Sequence, residues 1–265
     1  MNKSFNPILL LCLVITLSAC SLPGPASLPT AIVQPSVTSL PPTDTPFPPT
    51  DTLVPTDTSI PTPILTETPV GQIFRDDFTG ALQPGWTWKN ENSSRWTITT
   101  DGWLQITGED PSLFGDGIQS NLLWRDPPTG EYQVTVHVNA ATTTNFQQAT
   151  LYLYQDGDNF VAINRGFCSF CVAGGNGIYM EYKYAGAWGT FRQATLSNDV
   201  YLRLVTRGDV IEGFYALQPD QWKSMGKVGN YLKNFEIGLG VSNVDSNNIN
   251  SDLIGRFDYI EIALP

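Results

Sequence analysis

The sequence predicts an all-β fold, two antiparallel sheets packed as a jelly-roll sandwich, set after a signal peptide and a disordered linker. Three observations point there. Beyond residue 70, apolar residues recur at period two rather than 3.6. Turns rich in glycine, asparagine and aspartate interrupt the chain at short intervals. No stretch carries an apolar stripe at helical spacing. Each sheet of such a chain needs a second layer for its apolar face, so the strands pack as a sandwich.

In chain order, residues 1–19 come first. Asn2 and Lys3 are a short polar start, and Ile8 to Leu17 is an apolar run. A membrane span needs about 20 such residues, so this run reads as the core of a signal peptide. It ends in Leu17-Ser18-Ala19-Cys20, which resembles a bacterial lipobox. The expectation is that Cys20 becomes the first mature residue and carries a diacylglycerol anchor. The protein would then sit on the extracytoplasmic face of the cell membrane or outer membrane. A plain secretory peptide, or a signal anchor, with Cys20 incidental, is the alternative. Cys12 lies inside the discarded run.

Residues 20–70 read as the lipidated cysteine and a stalk. Positions 21–70 hold 13 of the 20 prolines and no basic residue. Pro-Thr-Asp-Thr recurs at 42–45, 49–52 and 55–58. Proline fixes φ and removes the amide donor, so neither helix nor sheet is supported. In polyproline II the stalk reaches at most ~150 Å, at about 3.1 Å per residue.

Residues 71–265 read as one folded domain holding all seven tryptophans and all ten tyrosines. Tyr132, Val134, Val136 and Val138 alternate with Gln133, Thr135 and His137. Ala149, Leu151 and Leu153 alternate with Gln148, Thr150, Tyr152 and Tyr154. Asp156-Gly157-Asp158-Asn159 turns the chain into a return strand over 160–165. Further strands are expected over 94–99, 103–107, 118–124, 177–184, 199–206, 209–217, 234–241 and 254–263. Arg207-Gly208-Asp209 is a tight turn.

The order of short motifs then becomes informative. Asp76-Asp77-Phe78 is followed by Trp86-Thr87-Trp88, Trp96 and Trp103-Leu104-Gln105-Ile106. Phe146-Gln147-Gln148-Ala149-Thr150-Leu151 and Tyr154-Gln155-Asp156-Gly157-Asp158-Asn159-Phe160-Val161 come next. Tyr201-Leu202-Arg203-Leu204 and Phe257-Asp258-Tyr259-Ile260 close the series. Over most of 73–264 this resembles the concanavalin A-like domain at the C-terminus of family 43 β-xylosidases. Related free-standing bacterial domains are similar too. The resemblance implies a concanavalin A-like sandwich without the catalytic propeller of those enzymes. Relatives carry Tyr-Asp-Gln-Ala-Gly where this chain reads Phe146-Gln147-Gln148-Ala149-Thr150, so no role of that aspartate carries over.

Composition and motifs exclude several function classes. The net charge is −11, with 25 acidic against 14 basic residues, which disfavours nucleic acid as a partner. Hydrolysis of a glycosidic bond calls for two carboxylates across it. No Glu-x-Asp-x-Glu strand of the laminarinase kind occurs, and Asp156 and Asp158 fit ordinary turn chemistry. The single histidine, His137, excludes a multi-histidine metal site, and no nucleophile elbow accompanies it. Catalytic residues are therefore not expected.

What remains is binding. Sugars are recognised by aromatic planes and hydrogen-bonding groups. By parity His137, Gln148, Tyr152, Asn164 and Arg203 project away from the aliphatic core, Glu181 is a polar strand residue, and Trp188 sits on a small-residue loop. If these strands share one concave sheet, the seven line a groove for a polysaccharide or other glycan. A hydrolase or lyase with a non-standard residue pair, and a protein-interaction module, are the rival readings. Trp86, Trp88, Trp96 and Trp103 are expected in the core. Cys168 and Cys171 are expected to form a local disulfide outside the cytosol. Asp76, Asp77 and Asp258 are candidates for a structural calcium, since the terminal strands that carry them are expected to be neighbours.

Overall fold

A computed structural model describes residues 71–109, 119–243 and 252–265. Cys20, the signal peptide and the stalk lie outside the described residues. Fifteen strands form two antiparallel sheets among them. In chain order the strands are β1 (Gln72–Asp76), β2 (Thr87–Lys89), β3 (Trp96–Ile98), β4 (Leu104–Thr107), β5 (Leu122–Arg125), β6 (Tyr132–Ala140), β7 (Gln147–Asp156), β8 (Asn159–Phe167), β9 (Asn176–Tyr184), β10 (Ala187–Ala194), β11 (Asp199–Arg207), β12 (Val210–Ala216), β13 (Lys223–Gly229), β14 (Glu236–Asn243) and β15 (Ile254–Ala263). The eight-stranded sheet runs β13-β12-β11-β6-β15-β4-β3, with β1 also on β15. The seven-stranded sheet runs β10-β9-β8-β7-β14-β5-β2.

The interior follows from period two. Val134, Val136 and Val138 of β6, Leu202 and Leu204 of β11, and Ile260 and Ile262 of β15 face inward from the larger sheet. Ala149, Leu151 and Leu153 of β7, Val161 and Ile163 of β8, Ile178 and Met180 of β9, and Ile237, Leu239 and Val241 of β14 meet them. All are essentially inaccessible to solvent. Burying each large aliphatic side chain contributes about 1.5–3 kcal/mol.

The strands with clean alternation form where the sequence places them. β1, β2, β10 and β13 are the additions. They are short or lie at a sheet edge, and among their residues only Asp76 and Val228 are buried, so no row of buried apolar side chains marks them in the sequence. Trp188 is one consequence: it lies on β10 rather than on a loop.

Strand β15 closes the larger sheet. One edge pairs with β6, and the other pairs first with β4 and then with β1. A bulge lies between Phe257 and Tyr259 opposite β6. Phe257 and Ile260 are both buried, although three positions separate them. The extra residue turns Asp258 outward beside Tyr259. Strict alternation would have placed Asp258 on the inner face with Ile260 and Ile262.

Arg165 is fully buried on β8, at the end of the inward-facing row that holds Val161 and Ile163. Its guanidinium donates to Ser197 O (2.7 Å), Thr142 Oγ1 (2.9 Å), Gly166 O (2.7 Å), Asn176 Oδ1 (2.7 Å) and Asn198 Oδ1 (3.1 Å). Every one of these acceptors is neutral. Desolvation brings its pKa down to about 10, and it stays charged at neutral pH. It ties β8 to the start of β9 and to the turn before β11. Replacing Arg165 with Met strands these acceptors, and we expect the unfolding free energy to fall by about 3 kcal/mol or more. Urea titration measures it, and an unshifted midpoint would show that the acceptors are satisfied without the guanidinium.

Candidate functional site

The outward side of the seven-stranded sheet carries two adjoining features. The first is a row of rings crossing the strands. Trp124 of β5 stacks with Tyr154 of β7 at 5.3 Å. Tyr154 stacks with Phe160 of β8 at 6.4 Å, and Phe160 meets Trp188 of β10 edge to face at 5.5 Å. Trp124 and Phe160 are buried, while Trp188 is 46% exposed at the end of the row. Strand β14 passes beneath the rings with glycine at two outward positions, Gly238 and Gly240. A Cβ on Gly238 would lie 1.9 Å from the Trp124 ring, and one on Gly240 would lie 2.7 Å from Leu122. Glycine at these positions is what lets Trp124 and Tyr152 lie over the strand.

The second feature is polar. Adjacent strands place Gln148 and Tyr152 on β7, Asn164 on β8 and Glu181 on β9. The Gln148 and Asn164 amides both donate to Glu181 Oε2, at 3.2 and 2.9 Å. Tyr152 is buried, and its hydroxyl donates to Gln119 Oε1 at 3.3 Å. Burial pushes the Glu181 carboxyl up to about 7 despite both amide donors and the charge of Arg192. Burial also pushes the Tyr152 and Tyr179 hydroxyls up.

Five of the seven residues expected in one groove share this sheet: Gln148, Tyr152, Asn164, Glu181 and Trp188. His137 and Arg203 do not. They belong to β6 and β11, which pair with each other in the eight-stranded sheet. Parity along a strand tells inside from outside, but both sheets have an outside. The single groove is therefore replaced by two separate faces.

On the second face His137 is held from several sides. Its Nδ1 lies 2.9 Å from Asp258 Oδ2 and its Nε2 3.0 Å from Asp199 Oδ1. The ring stacks on Tyr201 at 4.2 Å and tilts against Trp103 at 5.1 Å. Arg203 donates from Nε to Thr135 Oγ1 at 2.8 Å and covers the Trp222 ring at 3.8 Å. Trp103 thus leaves the core for this outer cluster, whereas Trp86, Trp88 and Trp96 pack against the core as expected.

The aspartates considered for calcium do not share a site. Asp76 accepts from Phe78 N (2.9 Å), Gln83 N (2.8 Å) and Trp86 Nε1 (2.9 Å). Asp77 pairs with Arg75, and Asp258 is turned to His137. Among the described residues no three His, Cys, Asp or Glu side chains converge as metal ligands. Cys168 and Cys171 are joined by a disulfide.

Sequence reasoning singled out neither Trp124 nor Arg165. The continuous apolar run Leu122-Leu123-Trp124 was a signal for Trp124, since a strand apolar on both sides is buried on both faces. Arg165 had no comparable signal, because its partners come from four separate segments.

These two faces sit on a known scaffold. Residues 75–236 match the family of the β-xylosidase C-terminal concanavalin A-like domain, and the chain belongs to that family. A family 43 glycoside hydrolase protein of Bacillus licheniformis is similar in structure, with a TM-score of 0.63 and 17% identity over 72% of this chain and 39% of its own. A xylan β-1,4-xylosidase of Bacillus halodurans gives a TM-score of 0.58 and 17% identity over 76% of this chain and 41% of its own. A functionally unknown protein of Saccharomyces cerevisiae gives 0.52 and 13% identity over 68% of this chain and 97% of its own. The chain thus spans about two fifths of the length of the two bacterial proteins. No curated protein matches it in sequence.

Glu181 makes the site sensitive to pH. Its carboxyl has an ordinary value of 4.5 when the chain is unfolded and about 7 when folded. Between those values the folded state holds the extra proton, so this group's effect is a loss of stability as pH rises from about 4.5 to about 7. Replacing Glu181 with Gln should remove that loss and raise stability at pH 8 by on the order of 2–3 kcal/mol, with little change at pH 4. Thermal melts of both proteins across this range test it, and equal melting-temperature differences at pH 4 and pH 8 would refute the assignment.

Proposed function

We propose that the protein is a surface lipoprotein whose sandwich domain binds glycan without cleaving it. The observation that carries this reading is the adjacency of a ring row to a buried polar cluster on one sheet face. Rings cover the C–H faces of sugars and amides meet their hydroxyls, which is the pairing polysaccharide recognition requires. The family supports the reading, since its domain accompanies the catalytic part of β-xylosidases. The lipobox-like Leu17-Ser18-Ala19-Cys20 and the Pro/Thr stalk support a domain held away from a membrane by a spacer.

Two measurements separate this reading from its rivals. The full chain, purified in detergent, should be retarded in native gels containing at least one of xylan, arabinan, β-glucan or mannan, with no sugar released. Trp188→Ala should weaken that binding about tenfold and leave the melting temperature unchanged. Sugar release would favour a hydrolase or lyase, and no retardation by any polymer would favour a protein-interaction module. For the anchor, labelled palmitate should enter the wild-type chain expressed in bacteria and be lost in Cys20→Ser. Equal labelling of both would move the attachment away from Cys20.

A further inference from the structure

We propose that two copies of this chain pair along the open edge of β10, antiparallel about a two-fold axis at Thr190, and so join their seven-stranded sheets into one. This pairing stands independently of glycan binding. A strand at the end of a sheet presents main-chain donors and acceptors to whatever comes alongside, and proteins blunt such edges with short strands, bulges, lysine or proline. The other free edges among the described residues carry such devices. Strands β2 and β3 span three residues each. Strand β1 has five, with a register shift between Gln72 and Phe74. Strand β13 carries Lys223 and Lys227, and its pairing with β12 shifts between Gly213 and Phe214.

Strand β10 has none of them. It ends its sheet, is eight residues long, and pairs with β9 in unbroken register from Ala187 to Ala194. It holds no proline or lysine, and Arg192 is its one charged residue. Ala187, Trp188, Arg192, Gln193 and Ala194 are all exposed. The direction of its main-chain groups follows from one bond. Thr195 N donates to Asn176 O at 3.0 Å, the pair that continues the register between β9 and β10. In an antiparallel ladder the bonding residues alternate, so the odd-numbered residues of β10 bond to β9. Thr190 and Arg192 therefore turn their N–H and C=O groups to the open side.

The strand is also complementary to its own reverse. A two-fold axis normal to the sheet sets one residue opposite its own copy, and that residue fixes every other pair. With Thr190 on the axis, Trp188 lies opposite Arg192 of the second copy, and Arg192 opposite its Trp188. These side chains share the outward face, where Trp188 meets Phe160. Cross-strand neighbours of this kind attract: a guanidinium lies against a ring at both ends, with a Thr–Thr pair between them. Moving the axis to Phe191 sets Trp188 opposite Ala194 and Thr190 opposite Arg192, which loses all three pairs. Moving it to Arg192 sets two like charges opposite each other. The Thr190 register also brings the two ring rows, each ending at Trp188, to one seam.

The test uses the full chain in detergent at ~1–200 µM, the range suited to an interface of one strand pair. Light scattering corrected for bound detergent should report twice the chain mass at the upper end. Thr190→Pro removes an N–H that points away from β9, so circular dichroism should be unchanged while the dimer weakens about tenfold or more. Thr190→Lys sets like charges on the axis and should have the same effect. Oxidative crosslinking reads the register. Thr190→Cys should link two copies, since opposite Cα atoms lie about 5.5 Å apart. Arg192→Cys should not, since its two copies stand about 13 Å apart along the strands. A single chain mass at every concentration would overturn the proposal. A dimer that survives both Thr190→Pro and Thr190→Lys would overturn it too. Equal crosslinking at 190 and 192 would do the same, because the copies would then meet by another surface or only by sharing a micelle.

Discussion

Every surface of this domain depends on the dry contact between the two inner faces. Valine, leucine and isoleucine from β6, β11 and β15 meet their counterparts from β7, β8, β9 and β14 with almost no solvent access. Non-directional burial of this kind sets which side of each strand is inside. Once that is set, the alternate side chains have no choice but to face out. A slip of one residue in β7 would bury Gln148 and Tyr152 in an aliphatic layer and expel Leu151, so the core holds the register of the site as firmly as its own.

The outer faces use that rigidity differently. On the seven-stranded sheet the glycines of β14 let large rings lie across the strand, and burial continues on the solvent side. Trp124, Tyr152 and Phe160 form a second, smaller apolar cluster there. Glu181 stands in that partly desolvated surrounding and its carboxyl is pushed toward neutrality. A protein selected for stability alone would gain by a neutral side chain at this position. On the eight-stranded sheet the polar groups are more closely matched: His137 has a carboxylate at each ring nitrogen and an aromatic ring against its face.

Membership in the β-xylosidase C-terminal domain family accounts for the scaffold and leaves the faces to be argued from this chain's own residues. At 17% identity to its solved bacterial relatives, the shared property is the packing of strands. The residues of the polar cluster are this chain's, and the reading of its ligand rests on their hydrogen-bonding capacity.

The sequence by itself determined the all-β class, the inward residues of every strand with clean alternation, and the outward position of Gln148, Tyr152 and Asn164. Those features are local, because period two depends only on neighbours along the strand. Tertiary structure decided which outward residues meet. His137 and Gln148 look alike in a strand pattern, yet the hydrogen-bonded order of strands puts them on opposite sides of the sandwich. It also decided the direction of Asp258, since a bulge breaks parity without leaving a mark in composition. The partners of Arg165 and the edge strand that carries Trp188 belong to the same class. Each depends on chain segments far apart in sequence, brought together only when the sheets close.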